Sequence, residues 1–348
     1  MAVGARSLLV TCAPTDPRWL QLLRSHSEAT AFHLPEWTEA VSSTYGHTAV
    51  VLVMEDDQQR VIGGLPVVEC HRPLGGKRLV SLPFTDHCPP LVMPGAEPEF
   101  TEALSEWRVD HGGAALEVRA RLPGIEGAQH HVVGTRHLLA LEADPEAIFK
   151  RFDRSRIQKR IRTARAAGVE TVITRSRADM TVFYRLHCAT RKRLGVPVQP
   201  LRFIENVWSK LVEPGLGFLV LAHLGGRPIG AALFLAYNRR LLYKYSASVS
   251  TAWNLRPNLM ILWAAMEWGC ANGYTILDMG RTDSDNESLR VFKAGWGSEE
   301  MPLVYTHFGP AGDRFGHGPV ARVLSNVIRR SPTVVCRVLG ETLYRFAA

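Results

Sequence analysis

The sequence predicts an α+β fold made of two copies of one unit, each a mixed, mostly antiparallel sheet flanked by helices. Three observations lead there. From Gly217 onward, GFLVLAHL, IGAALFLAY and LLYKYSASV read as strands parted by the turns GGRP and NRR, then a helix, then the short strand TILDMG. The same order of elements recurs between His47 and Arg119. RVIGGLPVV and RPIGAALFL also align, Ile62 on Ile229, at an offset of 229 − 62 = 167 residues.

Each element has a local cause. The strands are apolar runs of strand length bounded by glycine, proline or asparagine. Pro257 suits the first turn of a helix, and LMILWAAMEWGCANGY runs from there to a stop at Asn272-Gly273. In the first copy HTAVVLVM, RVIGGLPVVE and KRLVSL are strands, EDDQQ and RPLGG turns, 97–111 a helix and AALEVR the closing strand. The expected domains are 1–140, then 141–310 with a basic linker helix, then a tail of amphipathic helices over 311–348 that packs back on the body.

Bulk properties narrow the function classes. A chain of 348 residues fits roughly two domains at about 150 residues each. Apolar and charged fractions of 46% and 21% exclude global disorder and collagen-like structure. A net charge of +8 favours anionic partners: nucleic acid, phosphorylated metabolites or anionic lipid. The six cysteines are scattered, without CxxC pairs or short spacings to histidine, so neither a metal site nor a disulfide framework is expected. They read as reduced, buried thiols of a cytoplasmic protein. The N-terminus is a poor signal peptide, and no stretch approaches the ~18 apolar residues of a membrane span.

Between the copies, residues 145–170 carry eight basic residues against Glu146, Asp153 and Glu170. Ile157, Ile161, Ala164 and Gly168 step by three and four, which predicts one helix with a packed stripe. Arg154, Arg156, Lys159, Arg160, Arg162 and Arg165 then face outward, either as a solvated face or as a contact for the phosphates of RNA or a nucleotide-linked substrate. The tail from about Gly318 reads as two short basic amphipathic helices split at Ser331-Pro332, with peripheral membrane contact as one use for them.

YKYSAS (243–248), LRPN (255–258), LDMGRT (277–282) and LRVFKAGWG (289–297), with Tyr305 beyond, together resemble the FemAB/FemX-like branch of the GCN5-related N-acyltransferase (GNAT) superfamily. The resemblance covers about residues 30–310 and is tightest over 217–305. It implies tandem GNAT-like domains of a bacterial enzyme forming an amide on an acceptor amine, with aminoacyl-tRNA as donor. The acceptor would be a small molecule, a peptide or a cell-wall precursor. One departure matters. Acetyl-CoA-dependent members hold pyrophosphate with a glycine loop before the helix, whereas here SVSTAWNLRPN lacks glycine. No bound cofactor is expected, and the co-substrate is aminoacyl-tRNA, or acyl-CoA held differently. The alternatives are a CoA- or carrier-thioester-dependent N-acyltransferase, and a non-catalytic RNA- or envelope-binding module.

Lys293 stands between Phe292 and the run Ala294-Gly295-Trp296-Gly297, read as a turn after the LDMGRT strand. An ammonium in apolar company is costly unless an anion approaches, which suits a tetrahedral oxyanion or a ribose-phosphate terminus. The resemblance places a lysine of this role at the same FK step, with Phe292 and Trp296 as its dry wall. Packing of its stem with the head in water is the alternative. Asp278 and Arg281 either reach into a cleft or form an internal ion pair. Tyr243 and Tyr245 are expected on one strand face, available to substrate or to the core. Asn258 caps the helix or touches ligand.

In the first copy, Asp86 and His87 sit in the proline-rich loop SLPFTDHCPP. The resemblance puts an acidic acceptor-side residue there, so Asp86 is the candidate for amine binding or proton acceptance, with His87 beside it. Trp37 in FHLPEWTEAV matches the family's early aromatic feature and is a candidate substrate contact. Thr38-Glu39 follow it where cell-wall members carry a phosphate-binding lysine, which argues against a nucleotide- or lipid-linked precursor.

Overall fold

The computed structural model describes residues 9–71, 76–309 and 319–346. The chain forms two compact units, one of Met1–Val133, Leu303–Phe315 and Arg345–Ala348, the other of Gly134–Pro302 and Gly316–Tyr344.

The first unit holds β1 (Leu9–Cys12), α1 (Pro17–Ser25), α2 (Pro35–Tyr45), β2 (Thr48–Glu55), β3 (Val61–His71), β4 (Lys77–Val80), β5 (Leu91–Val92), α3 (Glu97–Asp110) and β6 (Leu116–Val118). Its strands run in the order β1-β2-β3-β4-β6, with β5 on β3. Neighbours are antiparallel except β4 and β6, which are parallel through Leu79↔Leu116 and Val80↔Glu117. Helix α3 buries Phe100, Ala103 and Leu104 against Leu52, Leu65 and Val67 of the sheet.

The chain enters the second unit along β7 (Ala128–Ala140) and continues through α4 (Pro145–Arg151), α5 (Lys159–Ala166), β8 (Val169–Thr174), α6 (Arg177–Leu194) and α7 (Leu201–Val207). Then come β9 (Gly217–Leu224), β10 (Arg227–Tyr237), β11 (Arg240–Ser248), α8 (Pro257–Ala271), β12 (Ile276–Thr282) and α9 (Glu287–Ala294). Strand β13 (Glu299–Phe308) leads out, and α10 (Pro319–Arg330) and α11 (Thr333–Leu343) follow. Strand order is β7-β12-β11-β10-β9-β8, with β11 and β12 the parallel pair. Helix α8 is enclosed nearly all round, its Trp263, Ile261 and Met266 packed with Phe218, Phe234, Ile157 and Trp296. The elements read from 217–282 are present, each boundary within about two residues.

Two local expectations fail. Residues 145–170 do not form one helix: the chain breaks after Arg151, where Asp153 accepts the N–H groups of Ser155 and Arg156 through its side chain. A wide turn follows, with Gln158 N donating to Asp153 O at 3.1 Å, before α5 begins. Ile157, Ile161 and Ala164 are buried as the spacing predicts, but Gly168 is exposed at φ 81° and ends the helix instead of extending the stripe. Lys293 is not in a turn either, since Asn286 caps Leu289 N and starts α9, which carries it.

Helices α10 and α11 meet at the predicted Ser331-Pro332 break. Gly340 of α11 lies on the backbone of Val198, so a Cβ there would overlap the Val198 carbonyl oxygen. Backbone against backbone has no flexible end to yield. Gly340→Ala should lower stability by about 1–3 kcal/mol through overpacking, read as a drop in the denaturant midpoint.

Candidate functional site

The second sheet opens beside its parallel pair. β11 and β12 share a ladder only over Arg240–Leu242 and Ile276–Asp278, although both strands continue. On β11, Tyr243 and Tyr245 face the consecutive residues Phe234 and Leu233, so Lys244 is one residue extra. On β12, Asp278 and Arg281 face Leu138 and Arg136, again one residue extra, around Gly280 at φ 72°. A bulge bends its strand and strengthens the local twist. Two bulges directly after the last shared pair separate the strands, and Tyr243–Ser246 become half-exposed.

The β11 bulge also reverses an expectation. Tyr243 and Tyr245 do not share a face. Tyr243 packs on Phe234, ring centroids 5.2 Å apart, in the core beneath α8. Tyr245 meets His187 of α6 edge-on at 5.4 Å. Burial pushes the Tyr243 hydroxyl up to about 12, so it remains a neutral donor.

Lys293 is 3% exposed, and its ammonium donates to the carbonyls of Gly280 at 2.8 Å and Arg281 at 3.0 Å. The cation therefore neither snorkels to water nor sits on apolar surface alone. It bonds the carbonyls at and just after the β12 bulge, Gly280 lying in the bulge and Arg281 regaining register with Arg136. Asp278 accepts Gly280 N at 2.8 Å on one oxygen and the Arg136 guanidinium at 2.8 and 2.7 Å on the other. The internal ion pair is thus Asp278–Arg136. Arg281 pairs with Asp283 at the surface.

His137 of β7 is fully enclosed, and neither ring nitrogen has a hydrogen-bond partner among the described residues. Burial first, and the Lys293 charge second, push it down to about 4, so it is neutral at pH 7. Glu300, held ionised by Arg290 at 2.8 Å, stands 3.9 Å from His137 Nδ1. Trp296 is enclosed, 5.0 Å from Phe152, with Phe292 edge-on at 6.3 Å; these rings wall the core behind Lys293.

The β11–α8 connection replaces a glycine loop with a 3₁₀ turn, Ser250–Leu255, and Arg256 in the left-handed region at φ 52°. Arg193 braces it from 4.6 Å above Trp253, donating to Ser248 O at 3.1 Å. Asn258 does not cap α8; its side-chain oxygen is buried without a partner among the described residues.

In the first unit, Asp86 and His87 are half-buried on a loop where Leu82 and Phe84 adopt φ 60° and 62°. Left-handed backbone at bulky residues persists only when its surroundings enforce it. Arg119 does so, donating to Thr85 O at 2.7 Å, held by Glu117 at 3.0 Å and lying 5.6 Å over the Tyr305 ring. Tyr305 in turn donates to Asp86 O at 2.9 Å. Trp37 is fully enclosed against Phe32, centroids 5.1 Å apart, in the position of a core side chain. Arg154, Arg156, Lys159, Arg160 and Arg162 are all exposed, and a basin of about 550 Å³ lies along Arg154, Lys159 and Arg162.

Sequence reasoning missed Arg136, His137, Glu300, Arg119 and Glu117. Polar and apolar residues do not alternate in HHVVGTRHLLA, 130–140, so no local period marks 136 and 137 as strand residues.

Lys293→Met should cost about 1–3 kcal/mol for each buried carbonyl left without a donor, measured by chemical denaturation. Acid sensitivity follows from the histidines. His137 and His187 are pushed down to about 4 and about 3 mainly by burial, whereas unfolded histidine takes its proton near 6.5. Between those values the unfolded state binds more protons, so stability falls as pH drops from about 6.5 toward 4. Denaturation at pH 7.5, 6 and 5 should show the fall, and His137→Gln should make it shallower.

Residues 151–293 match the family model described as acetyltransferase (GNAT) domain. No curated protein matches the chain. Among solved structures, a crystal structure of FemX is similar at TM-score 0.69 and 14% identity, over 92% of this chain and 100% of that one. The C-terminal domain of a putative lysylphosphatidylglycerol synthetase from Agrobacterium fabrum is similar at 0.56 and 12%, over 89% and 95%. A tandem GNAT protein from the clavulanic acid biosynthesis pathway is similar at 0.50 and 15%, over 87% and 100%. At such identities the likeness is one of fold.

Proposed function

We propose, on the premise that this chain is a GNAT-type acyltransferase of Fem-like fold, that it moves an aminoacyl group from aminoacyl-tRNA to an acceptor amine. The observation that carries the reading is the opening between β11 and β12 with Lys293 buried at its bulge. A neutral amine attacks the ester carbonyl carbon of the donor. The tetrahedral oxyanion forms in the field of Lys293, and collapse releases the ribose hydroxyl, which takes up a proton. A fixed cation in a site of low dielectric stabilises charge that develops only in the transition state. In the first unit, Asp86 and His87 are, by themselves, the residues proposed to bind an amine and take a proton.

A tRNA donor is supported by the exposed cations Arg154, Arg156, Lys159, Arg160 and Arg162 and by the glycine-free connection before α8. One similar structure is named for a lysylphosphatidylglycerol synthetase, which fits aminoacyl chemistry. The acceptor is an amine-bearing small molecule, peptide or cell-wall precursor, modified in the cytoplasm where charged tRNA is made.

Purified enzyme offered charged tRNAs and acyl-CoAs in parallel, with products read by mass spectrometry, should give an amide only from tRNA, abolished by RNase. Product from acyl-CoA that survives RNase would assign a thioester donor instead. Arg154→Glu/Lys159→Glu/Arg162→Glu should raise KM for charged tRNA about tenfold or more and flatten its salt dependence, leaving kcat nearly unchanged.

A further inference from the structure

The two C-terminal helices have one face committed to the fold and one face turned outward. On the inner face Ile328, Cys336, Gly340 and Tyr344 are buried. Arg191 and the Pro197 carbonyl hold the Tyr344 hydroxyl, and Arg329 donates to Leu194 O at 3.3 Å. The outer face carries Val323, Val327, Val334, Val335 and Val338, exposed by 64, 46, 67, 39 and 59%. These are five of the fourteen exposed large apolar side chains among the described residues, gathered into a short segment. Val323–Val327 and Val334–Val338 are each spaced by four, so they form a stripe on either helix. Valine is a weak helix former, and an outer face chosen for helicity or solubility would carry alanine, lysine or glutamate.

The charge around the stripe has one sign. Arg330 and Arg337 flank it and are exposed, with Arg329 beside them tied to Leu194 O, whereas its one carboxylate, Glu341, is drawn off to Arg202 at 3.6 Å. Beside α11 a groove of about 660 Å³ continues the surface between α6 and α7. Arg177, Arg185 and Arg337 line it with Tyr184, against the single acid Glu205. A second copy of so basic a face would be repelled, and RNA has no use for exposed valines. Apolar residues interleaved with arginine on one helix face fit the boundary of an anionic bilayer.

We propose that α10 and α11 dock on the surface of anionic phospholipid, the valines entering the acyl boundary and the arginines meeting headgroup phosphates. This inference stands independently of the acyl donor. The segment lies on the surface and does not span: no helix among the described residues is long and apolar enough to cross a membrane.

Co-sedimentation with vesicles of phosphatidylcholine containing about one third phosphatidylglycerol, against pure phosphatidylcholine, tests it. The full chain should bind the anionic vesicles and release them with salt. Val327→Ser/Val334→Ser/Val338→Ser should bind at least tenfold more weakly, and Arg330→Glu about fivefold or more. Both variants should keep wild-type circular dichroism; Val334→Ser alone, with a smaller loss, serves if the triple variant unfolds. The proposal falls if the wild type ignores anionic vesicles. It falls equally if the triple variant binds as well as wild type, which would place lipid contact on the α5 cations. Wild-type dimerisation lost in the triple variant would overturn it too, by making a second copy the occupant.

Discussion

The second unit depends on a buried ammonium bonded to two strand carbonyls. β11 and β12 cannot stay paired, because past Leu242 and Asp278 each gains a residue against its other neighbour. The bulge on β12 takes Gly280 out of the ladder with β7, and a buried acceptor there needs a donor. Lys293 supplies two from one nitrogen and reaches both carbonyls from α9. Around it, burial first and the Lys293 charge second hold His137 neutral, and Asp278 takes the Arg136 guanidinium and the Gly280 N–H. The opening is thus a set of mutually enforced bonds and not slack in the sheet.

What the sequence showed and what it hid divide along range. β9, β10, β11, α8 and β12 were legible because apolar runs, turn residues and Pro257 are local signals. The face of Tyr245 was not, since a period of two holds only without a bulge, and nothing in YKYSAS marks Lys244 as the extra residue. The long basic helix was misjudged at Asp153, whose carboxylate offers the chain a capped turn in place of another helical one. Lys293 was singled out correctly as a lysine in dry surroundings, but its carbonyl partners lie on another element. Arg136 was invisible, because Asp278, which explains it, lies 142 residues away.

The two copies meet the same problem with the same device. In each, a short parallel ladder joins the third strand to the one after the helix: β4 with β6 in the first unit, β11 with β12 in the second. In each, the backbone beyond that ladder leaves regular geometry, at Leu82 and Phe84 in one and Gly280 in the other. A largely buried cation then bonds the displaced carbonyls, Arg119 to Thr85 and Lys293 to Gly280 and Arg281. Few pairings across the 167-residue offset survive as sequence likeness, since any donor of adequate reach satisfies a carbonyl. A donor at this place is therefore required by the fold before any substrate arrives, and in both units it is a basic side chain. On the proposed function, acyl transfer would use the charge of the side chain that already serves the sheet, so that Lys293 would join stability to catalysis.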